Sequence, residues 1–337
     1  MKSKSKIFIT RIIHDDALNL LYSHALQESW EVKIWPHPLP PTREELIHEA
    51  RGAHALLTMI TDKIDKPLLA LLPELKIISN HAVGVDNIDL KAASEQAVAV
   101  GNTPDVLTAA TAELGLLLTM ALLRNLPFAL DKAKTNQWRT WGPLLDLTVQ
   151  LGDMSPADSP PLFGIYGLGR IGQSLGRMLS LGLKANVAYT NTRGPVTNLE
   201  YPAKWLSPQE LISKADVLIV TCPSNRSTSG LFNKTTLSCM KKGAYFVNIS
   251  RGDLHDEEAL LQLLEANHLA GVALDVTNPE PATLGRNPLL SHPRALITPH
   301  IGSATTNARR HMGILAVQNI ISYLKSNGLP HPAPFTP

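Results

Sequence analysis

The stretch L-F-G-I-Y-G-L-G-R-I-G, residues 162–172, decides the fold of this chain. Five residues that read as a strand run into Gly167-Leu168-Gly169-Arg170-Ile171-Gly172, which fits G-x-G-x-x-G, and a helical pattern continues from Arg170 to Ser180. The three glycines have separate tasks. Gly167 permits a tight turn, Gly169 lets the backbone approach a pyrophosphate, and Gly172 lets the helix pack on the strand. The first helical turn then offers N–H groups and a positive dipole end to phosphates. Between a strand and a helix, this motif predicts a dinucleotide site.

Downstream of it, strands are expected at 186–190, 217–221, 245–249, 272–275 and 295–298, with helices at 209–214, 233–240 and 256–266. Such alternation makes a doubly wound parallel sheet. Phe163 and Tyr166 are bulky for the first strand, a matter of packing. A second βα array lies upstream, with strands at 6–10, 32–35, 55–58, 76–79 and 98–100 and a helix at 15–26. Another helix begins at Thr42, with Glu45 completing a capping box. A long apolar helix is expected over Thr103–Leu123, started by Thr103 before Pro104. It is too apolar to face solvent, which places it between domains or subunits. Residues 137–161 read as loop, and the final helix, Thr305–Leu324, has no strand after it.

Length and charge bound the function. A chain of 337 residues suggests two domains. A net charge of +2 argues against a nucleic-acid-coating or polybasic membrane protein. Two cysteines, Cys222 and Cys239, fit neither a disulfide framework nor a zinc cluster, so no metal site is read and a reducing compartment is expected. No apolar run reaches the length of a membrane span, and no cleavage site follows the N-terminal lysines, so the expected location is the cytoplasm.

The ribose-binding position, about 20 residues past the motif, holds no carboxylate: the sequence there is A-Y-T-N-T-R-G, residues 188–194. Thr190 replaces the acid that would bond a ribose 2′-hydroxyl, and Arg193 can pair with a 2′-phosphate, so NADP(H) is expected over NAD(H). Three polar residues stand just past later strands: Arg251 in I-S-R-G-D, Glu280 in T-N-P-E-P and His300 in T-P-H-I-G-S. Open α/β sheets bind ligands at that edge. Arg can hold a carboxylate, His can protonate a carbonyl oxygen as hydride reaches carbon, and a carboxylate can orient the imidazole and favour its cation.

With N-H-A-V-G-V-D-N-I-D at 80–89, T-P-D-V-L-T-A-A-T-A-E at 103–113, G-V-A-L-D-V-T-N-P-E-P at 271–281 and P-H-I-G-S-A-T at 299–305, these segments resemble, in order and spacing, the D-isomer-specific 2-hydroxyacid dehydrogenases. The resemblance covers nearly the whole chain. Within the family it is most similar to the glyoxylate/hydroxypyruvate reductases, a likeness shared by W-R-T-W-G-P at 138–143. The resemblance implies two Rossmann-like parallel-sheet domains. A dinucleotide-binding domain (105–303) would be inserted into a discontinuous, flavodoxin-like substrate domain (1–104 and 304–337), and the chain would form a homodimer.

It also implies roles. His300 would be the general acid/base, Glu280 its partner and Arg251 the substrate anchor. Val83 and Gly84 amides would hold the substrate carboxylate, with Ser303 also at the substrate. Gly167 to Gly172, including Leu168, Arg170 and Ile171, would line the pyrophosphate. Thr190, Asn191, Thr192 and Arg193 would meet the adenosine ribose, and Cys222 and Pro223 the adenosine half. Ile249, Asp275 and Gly302 would lie at the nicotinamide end. The implied reaction is reduction of a small 2-keto acid to its D-2-hydroxy acid. A reductase of a larger acid such as 2-ketogluconate, or a dinucleotide-binding co-regulator, is the alternative. The stretch 149–161 is longer and richer in proline than that group usually shows, which would displace Trp141 and its shaping of the substrate pocket.

Overall fold

The computed structural model describes residues 4–148 and 161–333. The Pro-rich stretch at 149–160 therefore lies outside the described residues. The chain forms two compact units, Met1–Leu107 with Ala304–Pro337, and Thr108–Ser303, the second inserted into the first.

The first unit holds β1 (Lys6–Ile9), β2 (Glu31–Ile34), β3 (Ala55–Thr58), β4 (Ile77–Asn80) and β5 (Ala99–Gly101), all parallel, in the order β2-β1-β3-β4-β5. Helices α1 (Asp15–Glu28), α2 (Arg43–Ala50), α3 (Lys66–Leu69) and α4 (Leu90–Glu95) connect them. Thr42 caps α2 through the expected capping box with Glu45. Central β3 and β4 are buried along their whole length, as strands covered on both faces must be. One covering face comes from the far end of the sequence, where a helix over Thr306–Leu324 places Ala316, Val317, Ile320 and Ile321 against Ile7, Ile9, Leu21 and Ile77. That helix needs no following strand because it completes a sheet already built. Asn319, fully buried within it, donates to Ser79 Oγ and to the Asn102 carbonyl and fixes this docking.

The second unit opens with α5 (Thr108–Leu123) and α6 (Leu126–Lys134). The helix start expected at Thr103 is thus five residues early. Thr103 is fully buried and donates its N–H to the Ala82 carbonyl in the first unit, and Asp105 turns left-handed at φ 71°, which ends any helical path there. Apolar α5 is largely accounted for by its own unit. Ala112, Leu114, Leu118 and Leu122 pack on Phe163, Ile165, Val247 and Ala273, while Leu117 on another face stays exposed. Seven parallel strands follow: β6 (Leu162–Tyr166), β7 (Asn186–Thr190), β8 (Lys204–Trp205), β9 (Val217–Val220), β10 (Ala244–Asn248), β11 (Leu269–Leu274) and β12 (Ala295–Ile297). Their order, β12-β11-β10-β9-β6-β7-β8, reverses direction between β6 and β9, the switch point at which doubly wound sheets bind ligands. Helices α7 (Arg170–Arg177), α8 (Pro208–Lys214), α9 (Lys234–Ser238) and α10 (Glu257–Glu265) complete the winding. The helix expected to Ser180 loses its α geometry at Met178, where a π-helical turn runs to Gly182. Among the described residues no single helix is long and apolar enough to cross a membrane.

Candidate active site

At the switch point, Gly167 has φ 106°, open to glycine alone, and a side chain there would meet Cys222 N at 2.6 Å. A side chain on Gly172 would collide with the Gly167 carbonyl oxygen, so this glycine seats α7 against its strand. Gly169 differs: a Cβ there would meet nothing within 4 Å. It is the N-cap of α7, no side chain caps the helix, and Arg170 and Ile171 form the first turn beside it. The turn is therefore an open cradle with a helix N-terminus at its floor, as a pyrophosphate requires. Leu168 turns inward and is buried.

The end of β7 adds a second feature suited to a dinucleotide. Thr190 Oγ1 and Asn191 Oδ1 are both buried without a hydrogen-bond partner. Buried polar atoms are rarely left so, and the hydroxyls and phosphate of a dinucleotide ribose would satisfy them. Thr192 and Arg193 are exposed, on a loop whose Val196 N–H donates to the buried Tyr189 hydroxyl at 2.7 Å. Cys222 is buried, its thiol pushed up to about 12 by burial, so it is inert packing beside Gly167. Pro223 after it is exposed. Ile249 is buried against Gly115 of α5. The residues present fit a dinucleotide.

Glu280 and His300 come together across 20 residues of sequence: His300 Nδ1 lies 3.0 Å from Glu280 Oε2. Glu280 Oε1 accepts from Thr277 N at 3.1 Å, which fixes the carboxylate to its own turn. His300 has a left-handed backbone, φ 52°, a conformation costing a non-glycine residue about 1–3 kcal/mol unless its surroundings impose it. Asp275 imposes it. Its carbonyl accepts from His300 N, Oδ1 from Ile301 N at 2.8 Å and Thr298 Oγ1 at 2.6 Å, and Oδ2 from Gly302 N at 2.8 Å. Burial pushes the Asp275 carboxyl up, and these hydrogen bonds hold it back. Gly302 is buried beside Asp275 and Thr111, and half-buried Ser303 ends the unit. Arg251 leaves the end of β10 half-buried, its Nη1 donating to the Ser250 carbonyl at 2.8 Å. The turn of Gly252 packs directly on the Thr277 carbonyl, so the turns bearing Arg251 and Glu280 touch.

Within the first unit, Val83 and Gly84 follow β4. The Val83 carbonyl accepts from Asn102 Nδ2 at 2.8 Å and the Gly84 carbonyl from Asn80 Nδ2 at 2.9 Å, which orients both peptide planes. Asn80 is tied in turn to Thr58 Oγ1 and to Asn87, and Asn87 donates to the Met59 and Asp62 carbonyls. Sequence reasoning did not single out Asn80, Asn87 or Thr298. The available signal was an amide or hydroxyl residue ending a buried strand, where a side chain must bond something.

A profile described as the D-isomer specific 2-hydroxyacid dehydrogenase NAD binding domain matches residues 116–302. The chain is 37% identical over 327 residues to the glyoxylate reductase/hydroxypyruvate reductase of Homo sapiens, covering 96% of each. It superposes on a crystal structure of a Thermus thermophilus protein with a TM-score of 0.87, at 35% identity over 98% of this chain and 100% of that one. An NADPH-dependent glyoxylate/hydroxypyruvate reductase of Sinorhizobium meliloti, solved with NADP and malonate, gives a TM-score of 0.79 at 28% identity, covering 98% and 97%.

Proposed function

This chain belongs to the D-isomer-specific 2-hydroxyacid dehydrogenase family, with that family's nicotinamide-dinucleotide-binding domain in its second unit, and from that premise we propose that it reduces a small 2-keto acid of the glyoxylate or hydroxypyruvate type to the D-2-hydroxy acid, preferring NADPH. The observation that carries this is the Glu280–His300 pair, held past the second sheet's strands by a loop that Asp275 locks.

The bound cofactor supplies the hydride. This chain's residues do the rest. Glu280 accepts from His300 Nδ1, which leaves the other ring nitrogen to carry a proton to the carbonyl oxygen as charge develops there. Asp275 keeps the imidazole in place through the loop backbone. Arg251 holds the substrate carboxylate by charge-assisted bonds and Ser303 lies at the substrate; the family likeness also assigns the Val83 and Gly84 amides to substrate. Gly167, Leu168, Gly169, Arg170, Ile171 and Gly172 form the pyrophosphate cradle, with Thr190 to Arg193 at the adenosine ribose. Cys222 and Pro223 flank the adenosine half, and Ile249, Asp275 and Gly302 the nicotinamide end. The orphaned Thr190 hydroxyl and the absence of a carboxylate there support a 2′-phosphate.

Exposed Leu117, Leu126, Phe128, Leu130, Trp138 and Trp141 support a homodimer, with a mass of two chains in light scattering at micromolar concentration. Two thiols suit the cytoplasm. The test of function is oxidation of NADPH and NADH with a panel of 2-keto acids. Turnover of glyoxylate or hydroxypyruvate with the higher kcat/KM for NADPH is expected, and Thr190→Asp with Arg193→Ala should move preference toward NADH. Preference for 2-ketogluconate would reassign the substrate. Dinucleotide binding without turnover of any keto acid would favour a co-regulator.

A further inference from the structure

We propose that Asn248 and His255 form a buried brace that fixes the turn of Arg251, making His255 a positioning residue for substrate binding. The inference rests on the reading of Arg251 as the substrate anchor.

Asn248, fully buried, is the last residue of β10. Its Oδ1 accepts from Ser250 N at 2.9 Å, and its Nδ2 donates to the Arg251 carbonyl at 2.8 Å. The second Nδ2 hydrogen faces His255 Nδ1, also at 2.8 Å. An amide NH2 has no acceptor capacity, so His255 Nδ1 must be the acceptor, which puts the ring hydrogen on Nε2 and leaves the ring neutral. The surroundings agree. His255 is buried, edge-on to Phe246, and its pKa is lowered to about 4 by burial, against the pull of Asp253 and Asp256. Its Nε2 is buried without a hydrogen-bond partner, Glu257 Oε1 lying 3.9 Å away and out of bonding reach. Glu257 accepts from Asn278 N at 2.8 Å through Oε1 and from Asn287 Nδ2 at 2.5 Å through Oε2. Asn278 opens the Asn278-Pro279-Glu280 turn. Hydrogen bonds thus run from the Arg251 carbonyl through Asn248 to His255, and a separate bond ties Glu257 to Asn278 in the turn bearing Glu280. The two turns meet where Gly252 abuts Thr277. Neither Asn248 nor His255 is assigned to the substrate, so the effect is on where Arg251 stands.

The experiment compares His255→Leu, His255→Asn, Arg251→Ala and the Leu/Ala double variant, with KM for keto acid, KM for NADPH and kcat measured for each. Leu removes the acceptor; Asn returns an oxygen near the place of Nδ1. His255→Leu is expected to raise keto-acid KM about tenfold, with NADPH KM nearly unchanged, and Asn to restore most of it. In the Arg251→Ala background, His255→Leu should add little, because residues acting through one another are not additive. A full additional effect in that background, or an unchanged keto-acid KM in His255→Leu while Arg251→Ala raises it, overturns the brace. An unchanged keto-acid KM in Arg251→Ala instead overturns the anchor reading, and the brace with it. Nitrogen-15 NMR of the wild-type imidazole at neutral pH gives a test independent of variant folding. The Nε2–H tautomer at His255 supports the proposal and the Nδ1–H tautomer sinks it.

Discussion

The carboxyl edges of the two sheets differ more than the sheets do. At the first, neutral side chains bond one another and the loop carbonyls: Thr58 to Asn80, Asn80 to Asn87, Asn87 to the loop after β3. The buried carboxylate of Asp62 there is taken up by Thr10 Oγ1, by Met59 N at 2.7 Å and by half-buried Arg11 at 3.5 Å, and His81 is buried and held neutral. At the second, Arg251, Glu280 and His300 are half-buried or exposed. Similar winding therefore supports opposite arrangements. One edge ties neutral side chains to one another and to loop carbonyls; the other is scaffolded so that charged side chains stand at its surface. Chemistry is carried by that difference and not by the fold.

The comparison breaks most visibly at His300. Under the proposed mechanism His300→Ala lowers kcat about a hundredfold or more, the usual size of a lost general acid. Asn80→Ala in the first unit should act otherwise. It leaves Thr58 Oγ1 and Asn87 Oδ1 without their Asn80 partner and the Gly84 carbonyl untied, costing about 1–3 kcal/mol of stability and raising keto-acid KM more than it lowers kcat. Thermal unfolding with steady-state kinetics separates the two. An Asn80→Ala enzyme that loses kcat as His300→Ala does would erase the division between the edges.

The glycines sharpen it within the second unit. Gly172→Ala forces a methyl onto the Gly167 carbonyl, and a loss of about 1–3 kcal/mol in unfolding free energy is expected. Gly169→Ala has room, so the melting temperature should hold while NADPH KM rises. If both variants lost stability alike, the cradle at Gly169 would be structural, with no bearing on the cofactor.

Legibility followed the range of the interactions. The capping box at Thr42 and Glu45 and the strand-turn-helix at 162–177 could be read because their determinants lie within a few residues. Thr103 misled because its partner, the Ala82 carbonyl, lies 21 residues away. Helices α3, α4 and α6 and the two-residue β8 went unread; α3 and α4, at 4 and 6 residues, are too short for a hydrophobic period to repeat. At the site, Arg251, Glu280 and His300 could be found as charged residues past strand ends. Their supports could not: Asp275 under His300, and Asn248 and His255 under Arg251, are joined by sheet register and not by spacing.

The smallest expected effect draws the two units back together. Each buries one neutral histidine, His81 in the first and His255 in the second, and burial lowers both to about 4. Arg309 adds to the lowering at His81, while Asp253 and Asp256 oppose it at His255. An unfolded histidine titrates near 6.5. Between those values the unfolded chain binds a proton that the folded protein does not, so stability rises with pH across the interval. The contribution is complete above about pH 6.5 and is lost progressively as pH falls toward 4, amounting to about 1 kcal/mol per histidine at pH 6. His54 and His292 are lowered by burial as well, so the measurement must be a difference between variants. Unfolding free energy should be followed from pH 7.5 to 5 in wild type, His81→Leu and His255→Asn. Each replacement should remove up to one proton from the slope, whatever it does to stability at neutral pH. A wild-type slope retained in His81→Leu but reduced in His255→Asn would mean that His81 finds room to protonate in the folded first unit, and the contrast between its neutral edge and the charged one would narrow.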